Sequence, residues 1–167
     1  MKDNILQETP IPWGTPQPDP PLLPRVEVVS YCMDLKRAAG RRGAFTSGEM
    51  IHALKAGLPV SELEDLRKGL DLPMEKLVAL LNISKATWHR RKVSGRLDQG
   101  ESDRVVRFAR LLGRAVEVLE SLENARLWLR SPQIGLGGAV PLAYAETELG
   151  AREVEDLLGR IEYGVYS

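Results

Sequence analysis

A chain of 167 residues with 43% hydrophobic side chains, 28% charged ones and no formal net charge can bury one modest core or two small ones. No apolar run approaches the roughly 18 residues of a membrane-spanning helix, and the first residues carry no basic stretch leading into an apolar one. Neither an anchor nor a signal peptide is expected, so the expected location is cytoplasmic, and the single cysteine, Cys32, excludes an internal disulfide or a cysteine-rich zinc site.

Seven prolines fall between Pro10 and Pro24. Proline lacks the backbone donor and restrains the residue before it, so residues 1–24 are read as a disordered or extended arm. Pro18, Pro20, Pro21 and Pro24 also suit a polyproline recognition peptide, and a passive tail is the alternative. From Arg25 to Ala39, Val26, Val29, Met33 and Leu35 or Lys36 mark an approximate helical stripe, which Gly40-Arg41-Arg42-Gly43 breaks, and Cys32 is expected to pack as a small apolar residue. Ser47 is expected to cap a second helix that Gly57 ends. Val60 to Leu70 repeats Leu63, Leu66 and Leu70 at helical spacing, with Ser61 and Glu64 in the pattern of a capping box. No alternating run of useful length occurs, so sheet content is expected to be small or absent.

Pro73 stands where a first helical residue stands, and Leu77, Leu80 and Leu81 supply the inner face of a short helix ending near Asn82. Asn82-Ile83-Ser84 is a tight turn: Ile83 plugs the gap between two crossing helices, and the Ser84 hydroxyl accepts an orphan amide of the next one. Residues 73–93 therefore read as a helix-turn-helix. On its second helix Trp88 faces inward, leaving Lys85, Ala86, His89, Arg90 and Lys92 around the outer face. Such a helix fits the major groove. Lys85 and His89 are the candidate base contacts, Arg90, Arg91 and Lys92 the candidate phosphate contacts, and Ser84 completes the set. The alternative is a solvated helix serving only as scaffold.

The following helix carries Arg104, Arg107, Arg110 and Arg114 at steps of three, three and four, with Val105, Phe108, Leu112, Ala115, Val116 and Leu119 turned inward. This basic stripe either continues a DNA footprint or is a solvated face. From Ser84 to Arg114 nine bases face three acids, whereas from Ala115 to Ser167 four face nine. A basic middle joined to an acidic end suggests two partners with opposite electrostatic demands.

Glu123 to Leu129 forms another short helix, which Ser131-Pro132 stops. Leu136-Gly137-Gly138 and Pro141 make a sharply folded connector that opens a further short helix. No strand precedes those glycines and no lysine follows in place, which counts against a phosphate cradle. Thr147 or Glu148 begins the last helix, whose Val154, Leu157, Leu158 and Ile161 stripe is expected to pack on the Trp128 region. Arg160, Glu162, Tyr163, Gly164, Val165, Tyr166 and Ser167 are the candidate protein-binding segment. Two tyrosines supply buried area at low entropic cost, Gly164 a hinge, and Glu162 with the terminal carboxylate can pair with cations in a concave site. An ordinary frayed terminus is the alternative.

Two groups of residues, taken together, carry a resemblance. One is Asn82-Ile83-Ser84-Lys85-Ala86-Thr87-Trp88-His89-Arg90-Arg91; the other is Trp128-Leu129-Arg130-Ser131-Pro132, Leu136-Gly137-Gly138, Pro141 and Gly159-Arg160-Ile161-Glu162-Tyr163-Gly164. From about Pro73 to Ser167 the chain resembles the Xre/MbcA/ParS antitoxin family. The resemblance implies a C-terminal domain that binds a toxin, often of the RES type, named for its Arg, Glu and Ser residues, which consumes cellular NAD.

His52 and His89 are the only histidines and neither has a convincing catalytic partner, Glu153 with Asp156 reads as an exposed acidic face, and His52 with Glu49 lacks a third metal ligand. No enzyme, cofactor, metal or small-molecule substrate is expected. The expected fold is all-α, with an arm at 1–24, a helical domain at 25–100 containing the helix-turn-helix, and a toxin-binding domain at 101–167. The expected function is that of a type II antitoxin. It would block a cognate RES-type toxin through its C-terminal segment and repress its own operator DNA as a homodimer, because one short helix reads few base pairs. A plain transcriptional regulator with a C-terminal oligomerisation domain, and an adaptor that binds no DNA, are the alternatives.

Overall fold

The structure, a computed structural model, describes Cys32 and residues 46–164. The proline-rich arm, the expected helix from Arg25 apart from Cys32, and Val165, Tyr166 and Ser167 lie outside the described residues. Cys32 is helical and buried, as expected of a small apolar side chain, and burial pushes its thiol up to about 11.

Among the described residues the fold is all-α, with two isolated bridges and no strand. Helix α1 spans Ser47–Ala56. Its cap is Thr46 rather than the expected Ser47, because Glu49 stands at the third position after Thr46 and closes a reciprocal capping box, its carboxylate accepting the Thr46 amide at 2.7 Å. Gly57 then reverses the chain at φ 82°. Only glycine fits, since a Cβ there would lie 2.1 Å from the Leu97 carbonyl oxygen.

Helix α2, Val60–Leu70, buries Leu63, Leu66 and Leu70 as their spacing predicts. Ser61 does not cap it. Pro59 takes the cap position, which places Ser61 inside the first turn, and Glu64 pairs with Arg67 at 2.8 Å instead of reaching back. Helix α3, Met74–Leu80, follows Pro73, and Asn82 at φ 52° makes the turn into α4, Lys85–Ser94. The long helix α5, Gln99–Leu119, is the hub of the described residues: α1, α2 and the two longer C-terminal helices pack on it, and Phe108, Leu111 and Leu112 are fully buried there.

Helix α6, Leu122–Arg130, is capped by Ser121 and packs on α5. Its arginines also close the far end of α2. Arg126 donates from Nε to the Gly69 carbonyl at 2.8 Å and from Nη2 to the Lys68 carbonyl at 2.9 Å, and Arg130 reaches the Asp71 carbonyl at 3.2 Å. Those carbonyls are the orphans of a helix C-terminus, where cations are favoured. A 3-10 turn at Ile134–Leu136 and the four-residue α7, Pro141–Tyr144, with Pro141 at its first position, form the connector. Helix α8, Glu148–Glu162, starts at the Thr147 cap and packs chiefly on α5, with α7 and the 3-10 turn beside it. The expectation is packing on the Trp128 region; the principal partner is α5 instead, and Val154 and Leu158 are buried.

Candidate nucleic-acid interface and C-terminal edge

Helix α4 is built to present one face. At its start the Ser84 hydroxyl accepts the Thr87 amide at 3.1 Å and donates to the Thr87 hydroxyl at 3.0 Å. Ile83 is buried, and its amide donates to the Val78 carbonyl at 2.8 Å, locking the turn to α3. Trp88 is half-buried against the core, and the Lys92 ammonium sits 5.6 Å from its ring centroid, a cation–π distance. Lys85, Ala86, His89, Arg90 and Lys92 are all exposed.

Arg91 differs from its neighbours. Its Nε donates to Glu101 at 2.7 Å and its Nη2 to Asp98 at 2.6 Å, and its side chain is only 18% exposed. The two carboxylates are themselves the capping box of α5, with Asp98 accepting the Glu101 amide and Glu101 accepting the Asp98 amide, both at 2.8 Å. The Glu101 side chain is 4% exposed. Hydrogen bonding to Glu101 raises the Arg91 pKa further, and the Glu101 amide, followed by the Arg91 charge, holds the Asp98 carboxyl below its usual range.

Three of the four arginines of the α5 stripe are paired, whereas the Nε of Arg104 is buried without a hydrogen-bond partner among the described residues. Arg107 meets Glu148 at 3.1 Å, Arg110 meets Glu155 at 3.6 Å, and Arg114 meets Glu162 at 2.5 Å while also holding Glu117 at 3.1 Å. The three partners recur every seven residues along α8, a spacing visible in the sequence that would have pointed to this pairing.

Of the C-terminal candidates, Arg160 is partly buried with its Nε lacking a partner among the described residues, and Glu162 is held by Arg114. Tyr163 caps α8 with 79% of its surface exposed, and Gly164 turns the chain at φ 66°. Ile134, Tyr144 and Leu149 are further exposed apolar residues of the C-terminal part. Among the described residues no group of three metal-binding side chains converges, and no helix is long and apolar enough to cross a membrane.

Comparison with known proteins matches both halves. Residues 49–110 fit the family model described as an antitoxin Xre-like helix-turn-helix domain, and residues 114–164 fit that of the antitoxin Xre/MbcA/ParS C-terminal toxin-binding domain. The "Antitoxin Xre" of Yersinia enterocolitica serotype O:8 / biotype 1B is 32% identical over 120 residues, covering 71% of this chain and 81% of the relative. The "Antitoxin Xre" of Photorhabdus laumondii subsp. laumondii is 31% identical over 125 residues, 73% and 84% of the two chains. A "Prs ADP-ribosylating antitoxin" of Sphingobium sp. is 26% identical over 129 residues, 71% and 81%.

Proposed function

Given that this chain belongs to the Xre/MbcA/ParS antitoxin family, we propose that it neutralises a cognate RES-type, NAD-consuming toxin by direct binding and represses its own operon as a DNA-bound homodimer. The observation that carries the DNA-binding half is the outer face of α4, where Lys85, His89, Arg90 and Lys92 are exposed on a helix fixed by the Ser84 cap and the buried Ile83 plug. In this reading the first turn, from Ser84 and Lys85 to His89, meets base edges, and Arg90 and Lys92 neutralise phosphates. In this reading Arg107, Arg110 and Arg114 of the α5 stripe stay out of the footprint because they are paired with α8.

The toxin-binding half rests on the family match over residues 114–164 and on Tyr163, a large ring held almost bare at the end of α8. The name of the Sphingobium relative couples an antitoxin to ADP-ribosylation, a reaction that uses NAD, which favours an NAD-consuming partner. Arg160, Glu162, Tyr163 and Gly164, followed by Val165, Tyr166 and Ser167, are the segment proposed to enter the toxin's active site, the tyrosines as anchors and the Glu162 carboxylate opposite phosphate-binding cations.

Co-expression of a toxin encoded beside this chain, with the full-length protein and with a version ending at Arg160, tests the assignment. Rescue of growth by the full-length chain alone supports the tail as inhibitor. Protection by the truncated chain would move inhibition to the helical surface. Failure of the full-length chain to bind or rescue would leave a plain regulator.

A further inference from the structure

We infer that Arg91 does not contact DNA but is a positioning residue, a bridge that sets the rotation of the recognition helix α4 by tying its last turn to the capping box of α5. This rests on the DNA-binding reading above and deepens it. Arg91 lies between Arg90 and Lys92, and on sequence alone the three are alike. The structure separates them: the neighbours are exposed, whereas the Arg91 guanidinium engages Glu101 through one nitrogen and Asp98 through another.

The electrostatics exclude a double role. The Arg91 guanidinium is already engaged by two carboxylates, which offset its charge and occupy its Nε and Nη2 donors, so it has little left to offer a phosphate. Swinging Arg91 outward would leave the buried Glu101 carboxylate without this cation and with only the Asp98 amide as donor, a costly change for a buried charge. The geometry also fixes direction. At about 100° per residue, His89 lies roughly 160° from Arg91 around the helix and Lys85 roughly 120°, so tying Arg91 inward turns both candidate base contacts outward. Seven and ten residues separate Arg91 from its two partners. The bridge therefore spans the loop between α4 and α5 and holds that corner closed.

Lysine distinguishes the roles, because an ammonium replaces a phosphate contact well but cannot fork between two carboxylates. Fluorescence anisotropy of the full chain would be measured over a range of salt, on a duplex from directly upstream of its own reading frame and on a scrambled duplex. Arg91→Lys is expected to lose about tenfold in preference for the upstream duplex, with the salt slope and the scrambled-duplex affinity unchanged. Arg90→Gln should instead weaken both duplexes and lower the slope by about one, with Arg90→Lys close to wild type. The inference is overturned if Arg91→Lys binds both duplexes as the wild type does while Arg91→Gln lowers the slope by about one. Hydrogen exchange without DNA tests the bridge independently. Amides of Lys85–Ser94 should exchange about tenfold faster in Arg91→Lys while those of α2 stay protected, and unchanged exchange would overturn the bridge. If the wild type shows no preference between the duplexes, the DNA-binding reading fails and the exchange result alone decides the role of Arg91.

Discussion

The hydroxyl of Ser102 accepts the backbone amide of Leu58 at 2.8 Å, joining positions 44 residues apart, while it donates to the Asp98 carbonyl at 2.6 Å. Both residues are buried. The bond pins the α1–α2 corner to the first turn of α5, next to the capping box that Arg91 engages. In Ser102→Ala the Leu58 amide keeps its burial and loses its acceptor, which costs about 1–3 kcal/mol. Urea denaturation should show a lower midpoint with an unchanged slope, and an unchanged midpoint would contradict the bond's role.

Gly150 is required for a different reason. A Cβ there would lie 1.8 Å from the Tyr144 carbonyl oxygen and 3.1 Å from the Thr147 cap hydroxyl, so α7 and α8 approach through the missing side chain. Gly150→Ala forces two backbone segments apart and is expected to cost about 2–3 kcal/mol. Gly159, on the same helix, has nothing within 4 Å of its Cβ position. Gly159→Ala should therefore stabilise α8 by about 0.5–1 kcal/mol through helix propensity. Opposite shifts in melting temperature are the expected result.

Acid should loosen the α4–α5 corner. In the fold the Asp98 carboxyl lies below the usual range of an aspartate, first because it accepts the Glu101 amide and then because Arg91 is beside it. A depressed folded value means that its contribution is complete above about pH 4 and disappears as the pH falls through the folded value. Glu49 and Glu64 shift in the same direction through Thr46 and Arg67. The melting-temperature difference between wild type and Asp98→Asn should accordingly be largest near neutral pH and shrink as acid protonates the carboxylate. A difference independent of pH would show that the ionised form is not what the corner prefers.

The pairing of α5 with α8 predicts a negative result. Arg107 and Arg110 meet Glu148 and Glu155 at the surface, where such pairs contribute less than about 1 kcal/mol each. Replacing both with alanine should lower stability only slightly and leave the salt dependence of DNA binding unchanged. A salt slope reduced by about two would place the stripe within the DNA footprint after all.

Features under short-range control were legible in the order of residues. The Ser84 cap, the Ile83 plug, the Pro141 start of α7 and the Leu63, Leu66 and Leu70 stripe each depend on residues within about a turn or two, and the structure has all of them. Even the misplaced caps were local: Thr46 with Glu49 was a legible capping box beside Ser47, and Pro59 pre-empted the similar pattern at Ser61. Family membership was legible for the same reason, since its signature lies in runs of neighbouring residues. Which cations are free was settled by packing instead. Arg90, Arg91 and Lys92 are equivalent in a sequence, and it is the placement of α4 against the start of α5 that engages one and exposes two. Likewise Arg126 closes a helix end 57 and 58 residues away, and Arg114 meets Glu162 across 48 residues. A charge is long-ranged and indifferent to sequence separation, so its partner is chosen by how the helices pack.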